Sequence, residues 1–163
     1  RVQKMTDLPD ERFLAERYVF SEALPPHRAA ELDGMEIDLG NLDVPESDRP
    51  LIIEGVGGLM EPLTRKNLLI NQFKLWNFPV ILCARSGPGT INHTLLSLEA
   101  LWARKLSIHG IIFIGENDPD NMLTIIEFAK VKALGHIPVM ADINAAGLQN
   151  CFERNFRRED FAL

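Results

Sequence analysis

Pro79-Val80-Ile81-Leu82-Cys83-Ala84 is an apolar run of strand length, and the residues that follow it decide the architecture. A loop, Arg85-Ser86-Gly87-Pro88-Gly89, leads into Ile91–Leu106, where Ile91, Leu95, Leu98 and Trp102 recur at helical spacing. A β-branched run, Gly110–Ile114, comes next. Strand, helix, strand in that order predicts a parallel pair with a crossover helix. Working outward, Asn121–Leu134 predicts a second helix, with Met122, Ile126, Ala129 and Ala133 on one face and Gly135 at its stop position. Ile137–Met140 predicts a further strand. Upstream, Thr64–Trp76 predicts a helix carrying Leu69, Phe73 and Trp76, and Leu51-Ile52-Ile53 predicts another strand, ended by glycines.

Four short strands alternating with three helices result. The strand runs are nearly all apolar, as in parallel strands covered on both faces. The expected fold class is therefore α/β, a three-layer, mostly parallel sheet in one domain spanning residues 1–163. The first fifty residues are polar and rich in Pro and Asp; Pro25–Leu32 predicts a short helix and Asp43–Pro50 a surface loop.

Composition narrows the function. The chain has 163 residues, is 46% hydrophobic and carries a net charge of −6, which opposes broad nucleic-acid binding but leaves room for one local anion site. Cys83 and Cys151 show no metal spacing; Cys83 reads as a small buried hydrophobe. The four histidines, His27, His93, His109 and His136, are scattered. No apolar run approaches membrane-span length and no signal core opens the chain, so no membrane partner is expected and a cytoplasmic location follows. The sequence starts at Arg1, without Met, and has no strong strand signal before Leu51; it is expected to be part of a longer chain.

In open parallel sheets, ligands bind beyond the carboxyl ends of the strands. Four segments fall there. Glu54-Gly55-Val56-Gly57-Gly58 is either a carboxylate holding Mg²⁺ beside nucleotide phosphates, with glycines that let backbone N–H groups approach an anion, or a tight turn with a solvated Glu. In Arg85–His93, Thr90 or Asn92 can cap a helix whose free N–H groups favour a carboxylate or phosphate; an ordinary Gly-rich loop also fits. Asp118 or Asp120 reads as a helix cap, and Ile137-Pro138-Val139-Met140 with Ala141-Asp142-Ile143-Asn144 is either an apolar edge for a nucleotide base or plain loop structure.

Taken together, these residues resemble the dethiobiotin synthetase family. The resemblance runs through Glu54–Gly58, Phe78–Leu82, Gly89-Thr90-Ile91-Asn92-His93-Thr94-Leu95-Leu96-Ser97-Leu98-Glu99-Ala100-Leu101, Gly110–Phe113 and Gly135–Pro138, with Pro25–Ala30 upstream. It implies a P-loop NTPase-like sheet in a homodimer. It also implies ATP- and Mg²⁺-dependent closure of a ureido ring on 7,8-diaminononanoate and CO₂ in biotin biosynthesis. By position it gives Glu54 to Mg²⁺, and Glu54, Gly55, Val56 and Gly57 to the phosphates, Gly57 also bordering the substrate. Gly89, Thr90, Ile91 and Asn92 go to the substrate carboxylate. Ile114, Gly115, Pro138, Val139 and Met140 go to the base. Two departures stand out. Ile114 falls where many members place a base-reading Asn. No G-x-x-x-x-G-K-[ST] phosphate loop, and none of the family's carbamate-handling Lys, is found in these residues. Little turnover is expected of the 163 residues alone. A catalytically silent module of the same fold, or a related P-loop amide synthase, is the alternative.

Overall fold

The computed structural model describes residues 2–162. Their contacts cluster into two compact units. One is built from the first 14 residues, Pro79–Trp102 and the stretch from Ser107 onward; the other is built from Ala15–Phe78 and Ala103–Leu106.

The first unit holds the sheet. Its elements are α1 (Val2–Thr6), β1 (Val80–Arg85), α4 (Thr90–Ala103), β2 (Ile108–Ile114), α5 (Pro119–Ala129), β3 (Ala133–Ile137) and α6 (Ala145–Asn155). The second unit holds α2 (Pro26–Leu32) and α3 (Leu69–Trp76). The strands lie in the order β1-β2-β3, all parallel. Arg85 is in register with Ile114, and Ile114 with Ile137. The three strands thus end side by side, and the loops that follow them share one edge.

The core of this unit is Ala84, Leu98, Ile111, Phe113, Ile125 and Ala129, with Leu82, Ile91, Leu95, Met122 and Ile126 packed against it. An α/β fold with an all-parallel sheet is as expected from the apolar runs. Several details differ.

Leu51-Ile52-Ile53 forms no strand among the described residues. It is extended, and Ile52 is 93% exposed, because no neighbour supplies the ladder hydrogen bonds that would turn an apolar run into a strand. β3 begins at Ala133, where a helix was expected. α5 already ends at Lys130, whose left-handed φ of 54° closes it, so Gly135 is a strand residue and not a helix stop. A Cβ on Gly135 would stand 2.5 Å from the Asn155 carbonyl oxygen, and that close approach explains the glycine. α3 starts only at Leu69, because the Thr64 hydroxyl accepts from the N–H groups of Lys66 and Asn67 and holds a turn there.

β1 is not covered on both faces. It lies at the end of the strand order and alternates, with Leu82 and Ala84 turned inward and Ile81, Cys83 and Arg85 exposed. Cys83 is therefore not the buried hydrophobe expected; Cys151 is. On α4 the expected Leu98 is buried and Ile91 and Leu95 pack against the core, but the fully buried stripe also takes in Thr90, Thr94 and Leu101, and Trp102 is exposed. Among the described residues, no helix is long and apolar enough to cross a membrane.

Candidate functional site

In the sheet-bearing unit, the turn after β1 is shaped by two glycines with positive φ, Gly87 at 130° and Gly89 at 83°, on either side of Pro88. They let the chain fold back so that Thr90 N–H reaches the Gly87 carbonyl at 3.1 Å and His93 N–H reaches the Gly89 carbonyl at 3.0 Å. The start of α4 is thereby set at the mouth of a cleft of about 490 Å³, lined by Arg85, Ser86, Thr90, His93, Thr94 and Ser97 among others.

Two hydroxyls in this cleft are buried without a hydrogen-bond partner among the described residues, Ser86 Oγ and Thr90 Oγ1. Thr90 is only 8% exposed. A buried hydroxyl left unpaired costs roughly 1–3 kcal/mol, so these two are poised for an outside partner. A helix N-terminus, a guanidinium and unpaired hydroxyls together favour an anion.

The sequence-predicted carboxylate residues divide here. Thr90 lines the cleft and Gly89, beside it, does not; Ile91 packs against the hydrophobic core, and Asn92 is exposed and does not line the cleft. Neither Thr90 nor Asn92 caps α4, since both already lie inside the helix, and the Thr90 hydroxyl finds no hydrogen-bond partner among the described residues. Ser86, Thr94 and Ser97 were not anticipated. For Thr94 and Ser97 a signal is present in the sequence: Thr90, Thr94 and Ser97 repeat at i, i+4 and i+7, a hydroxyl stripe along one side of the helix.

Beyond β2 and β3, Ile114 and Gly115 lie next to Ile137 and Pro138 through the strand register. Pro138 and Val139 are exposed and apolar. The loop is pinned from both sides. Ser86 N–H donates to the Ile114 carbonyl at 2.7 Å, Gly115 N–H to the Ile137 carbonyl at 2.9 Å, and His136 Nε2 to the Gly115 carbonyl at 2.9 Å. Asp118 caps α5 by accepting from Asn121 N–H at 3.1 Å, as one of the two expected caps.

The glycine loop belongs to the second unit. The first N–H groups of α3 are spent on it, with Leu69 donating to the Glu61 carbonyl at 2.8 Å and Ile70 to that of Leu59 at 2.9 Å. Gly57 has φ 72°, and a Cβ there would meet Glu61 Oε2 at 2.6 Å; at Gly55 it would meet Phe73 Cζ at 2.8 Å. At Gly57 the positive φ favours glycine, while at Gly55 a side chain would have to push the ends of Phe73 and Leu69 aside. Glu54, Val56 and Gly57 are exposed. Glu61, unread in the sequence, places a second carboxylate on this loop. Among the described residues, no group of three or more His, Cys, Asp or Glu is placed to hold a metal. Glu54 by itself can supply one oxygen to a Mg²⁺ that takes the rest from phosphate and water, the ion's usual coordination.

Comparison with known proteins identifies the class first. The sequence profile of a family described as AAA domain matches residues 1–146. This places the chain among α/β nucleotide-binding-type folds related to P-loop NTPases. More specifically, the chain is 44% identical over 160 residues to a Rhodopseudomonas palustris (strain HaA2) protein named ATP-dependent dethiobiotin synthetase BioD, covering 98% of this chain and 75% of the relative. A Bradyrhizobium protein of the same name is 45% identical over 163 residues, covering 99% and 78%. One from Brucella ovis is 42% identical over 161 residues, covering 99% and 76%. The chain belongs to the dethiobiotin synthetase family.

Proposed function

We propose that this chain serves the ATP-dependent synthesis of dethiobiotin from 7,8-diaminononanoate and CO₂. The observation that carries the reading beyond family membership is the cleft at the start of α4, with its buried, unpaired Ser86 and Thr90 hydroxyls. It suits the carboxylate at one end of an aliphatic diamine. At the other end, one amine takes up CO₂ as a carbamate with loss of a proton. The carbamate oxygen attacks the γ-phosphorus of ATP and releases ADP. The second amine then attacks the carbamoyl carbon, expels phosphate and closes the ureido ring.

The chain's own part in this is binding and orientation. Thr90, Ser86 and the α4 N-terminus fix the carboxylate; Gly55, Val56 and Gly57 allow close approach to phosphate oxygens. Glu54 is the residue that would hold Mg²⁺, which neutralises phosphate charge when bound. Ile114, Gly115, Pro138, Val139 and Met140 border the base. The family brings a homodimer with it, and the exposed Leu96 and Trp102 on α4 provide apolar surface for such a contact.

Titrating the protein with 7,8-diaminononanoate while following backbone amides by NMR tests this. The amides of 86–94 are expected to shift, and Thr90→Val, which swaps the hydroxyl for a methyl of the same size, should weaken binding about tenfold. Shifts confined to other segments, or an unchanged affinity in the variant, would remove the cleft from the substrate site.

A further inference from the structure

The base wall has an accounting consequence that goes one step past the proposed function and rests on it. Reading adenine requires a donor for a ring nitrogen paired with an acceptor for the exocyclic amine. At the carboxyl edge of β2 the Gly115 donor is already committed, and the two carbonyls there each accept one bond within the protein. The N–H of Gly115 is spent on the Ile137 carbonyl at 2.9 Å. The carbonyl of Ile114 holds Ser86 N–H at 2.7 Å. The carbonyl of Gly115 holds His136 Nε2 at 2.9 Å, and since a carbonyl only accepts, that ring nitrogen carries the proton. The Ile114 side chain has no polar atom. Beside it, Pro138 has no N–H, and Val139 presents an exposed aliphatic side chain.

We infer that this chain holds a nucleoside triphosphate with little regard to its base: the Ile114–Gly115 and Pro138–Val139 edges offer a flat apolar wall that any purine or pyrimidine can pack against, and the β2 edge has no donor left to tell one from another. Stacking and apolar contact act on every base, because every base has a π-face. Selectivity is strongest where a site pairs a donor with an acceptor against one base, and at the Ile114–Gly115 edge the Gly115 N–H is already spent, leaving only the second lone pairs of carbonyls that each accept one bond.

The test is equilibrium binding of the Mg²⁺ complexes of ATP, GTP, CTP and UTP to the full chain, side by side. Dissociation constants spread over no more than about fivefold are expected. Ile114→Asn restores a side-chain donor and acceptor in one amide; it should tighten ATP relative to GTP by about tenfold. An unaltered protein that prefers ATP by about thirtyfold or more overturns the proposal. In that case Asn117→Ala shows whether the exposed amide in the following loop does the reading: loss of the preference assigns it there, and persistence assigns it to the backbone of Val139 and Met140. Binding of none of the four nucleotides refutes the nucleotide reading itself, and this inference with it. A clear affinity with a large spread refutes only the inference. The wild-type comparison stands by itself if Ile114→Asn fails to fold.

Discussion

In the sheet-bearing unit the interior is carbon against carbon: Phe113, Ile111, Leu98 and Ile125 are each at most 1% exposed and lie between β2, α4 and α5. In the other unit the glycine loop is held by something different. Its carbonyls take N–H groups from the first turn of α3, and its glycines are squeezed against Phe73, Leu69 and Glu61. The first arrangement follows from hydrophobicity spread over many residues, and it accepts a volume-conserving apolar swap but not an emptied position. The second depends on individual contacts, so a single atom in the wrong place is felt locally. The contrast separates the two halves of the proposed chemistry as well. The residues proposed for the carboxylate and the base belong to the sheet-bearing unit, and those proposed for the metal and phosphates to the pinned loop of the other.

Emptying the carbon core should produce the largest effect. Phe113→Ala removes a ring that is 1% exposed and leaves a cavity among Ala84, Leu98, Ile111 and Ile125, at a cost of about 3–5 kcal/mol. Trp102 belongs to this unit and Trp76 to the other, so single-tryptophan proteins report each one separately. Urea unfolding read at Trp102 should shift to lower concentration by the corresponding amount. A change under about 1 kcal/mol would mean that the sheet unit relaxes around the hole and is not the tightly packed half.

A smaller loss is expected from the pinned loop. In Gly55→Ala the new methyl would sit 2.8 Å from Phe73 Cζ and 2.9 Å from Leu69 Cδ2. Both are far ends of side chains that can shift, so the cost is about 1–2 kcal/mol, less than a collision with backbone would bring. Phe73 also stands 5.7 Å, centroid to centroid, from Trp76, whose indole N–H donates to the Leu42 carbonyl at 2.6 Å. The substitution should therefore change Trp76 emission and lower the midpoint read there, while the Trp102 signal keeps its own. Equal shifts at both tryptophans would erase the distinction between the halves.

The same contrast explains what was legible in the sequence. β1 and β2 are readable as short unbroken apolar runs and α4 as apolar side chains recurring at helical spacing, the patterns that let each element be buried. Leu51-Ile52-Ile53 has the composition of a strand but lacks a partner, and composition carries no information about partners. Gly135 was misread as a helix stop because glycine marks both left-handed caps and close backbone approaches; only the Asn155 carbonyl 2.5 Å from its Cβ position tells which. At the candidate site, Thr90 was legible from the Gly-Pro-Gly-Thr turn. Ser86 was not, since a serine in a loop signals nothing until its hydroxyl is seen buried and unpaired. Glu61 escaped for a similar reason: only folding brings it onto Gly57.

The smallest effect is electrostatic and confined to the second unit. Glu31 on α2 accepts from Arg65 Nε at 2.6 Å and from the same guanidinium's NH2 at 2.7 Å, with Arg28 at 3.2 Å. These hydrogen bonds, Arg65 first and Arg28 second, hold its carboxyl down at about 2, against an ordinary 4.5. A lowered folded value means that the ionised form is the one the fold favours. The contribution is therefore fully present above pH 4.5 and is lost as pH falls from there towards about 2. All three side chains are exposed, so salt should weaken the attraction and bring the carboxyl back towards its ordinary value. Following the Glu31 side-chain carbon by NMR through this window, at low and high salt, measures both. In Glu31→Gln the acid sensitivity read at Trp76 should flatten across that range. A Glu31 that titrates near 4.5 at low salt would show that the guanidinium fork does not persist in solution, leaving the second unit to its backbone bonds and glycine contacts.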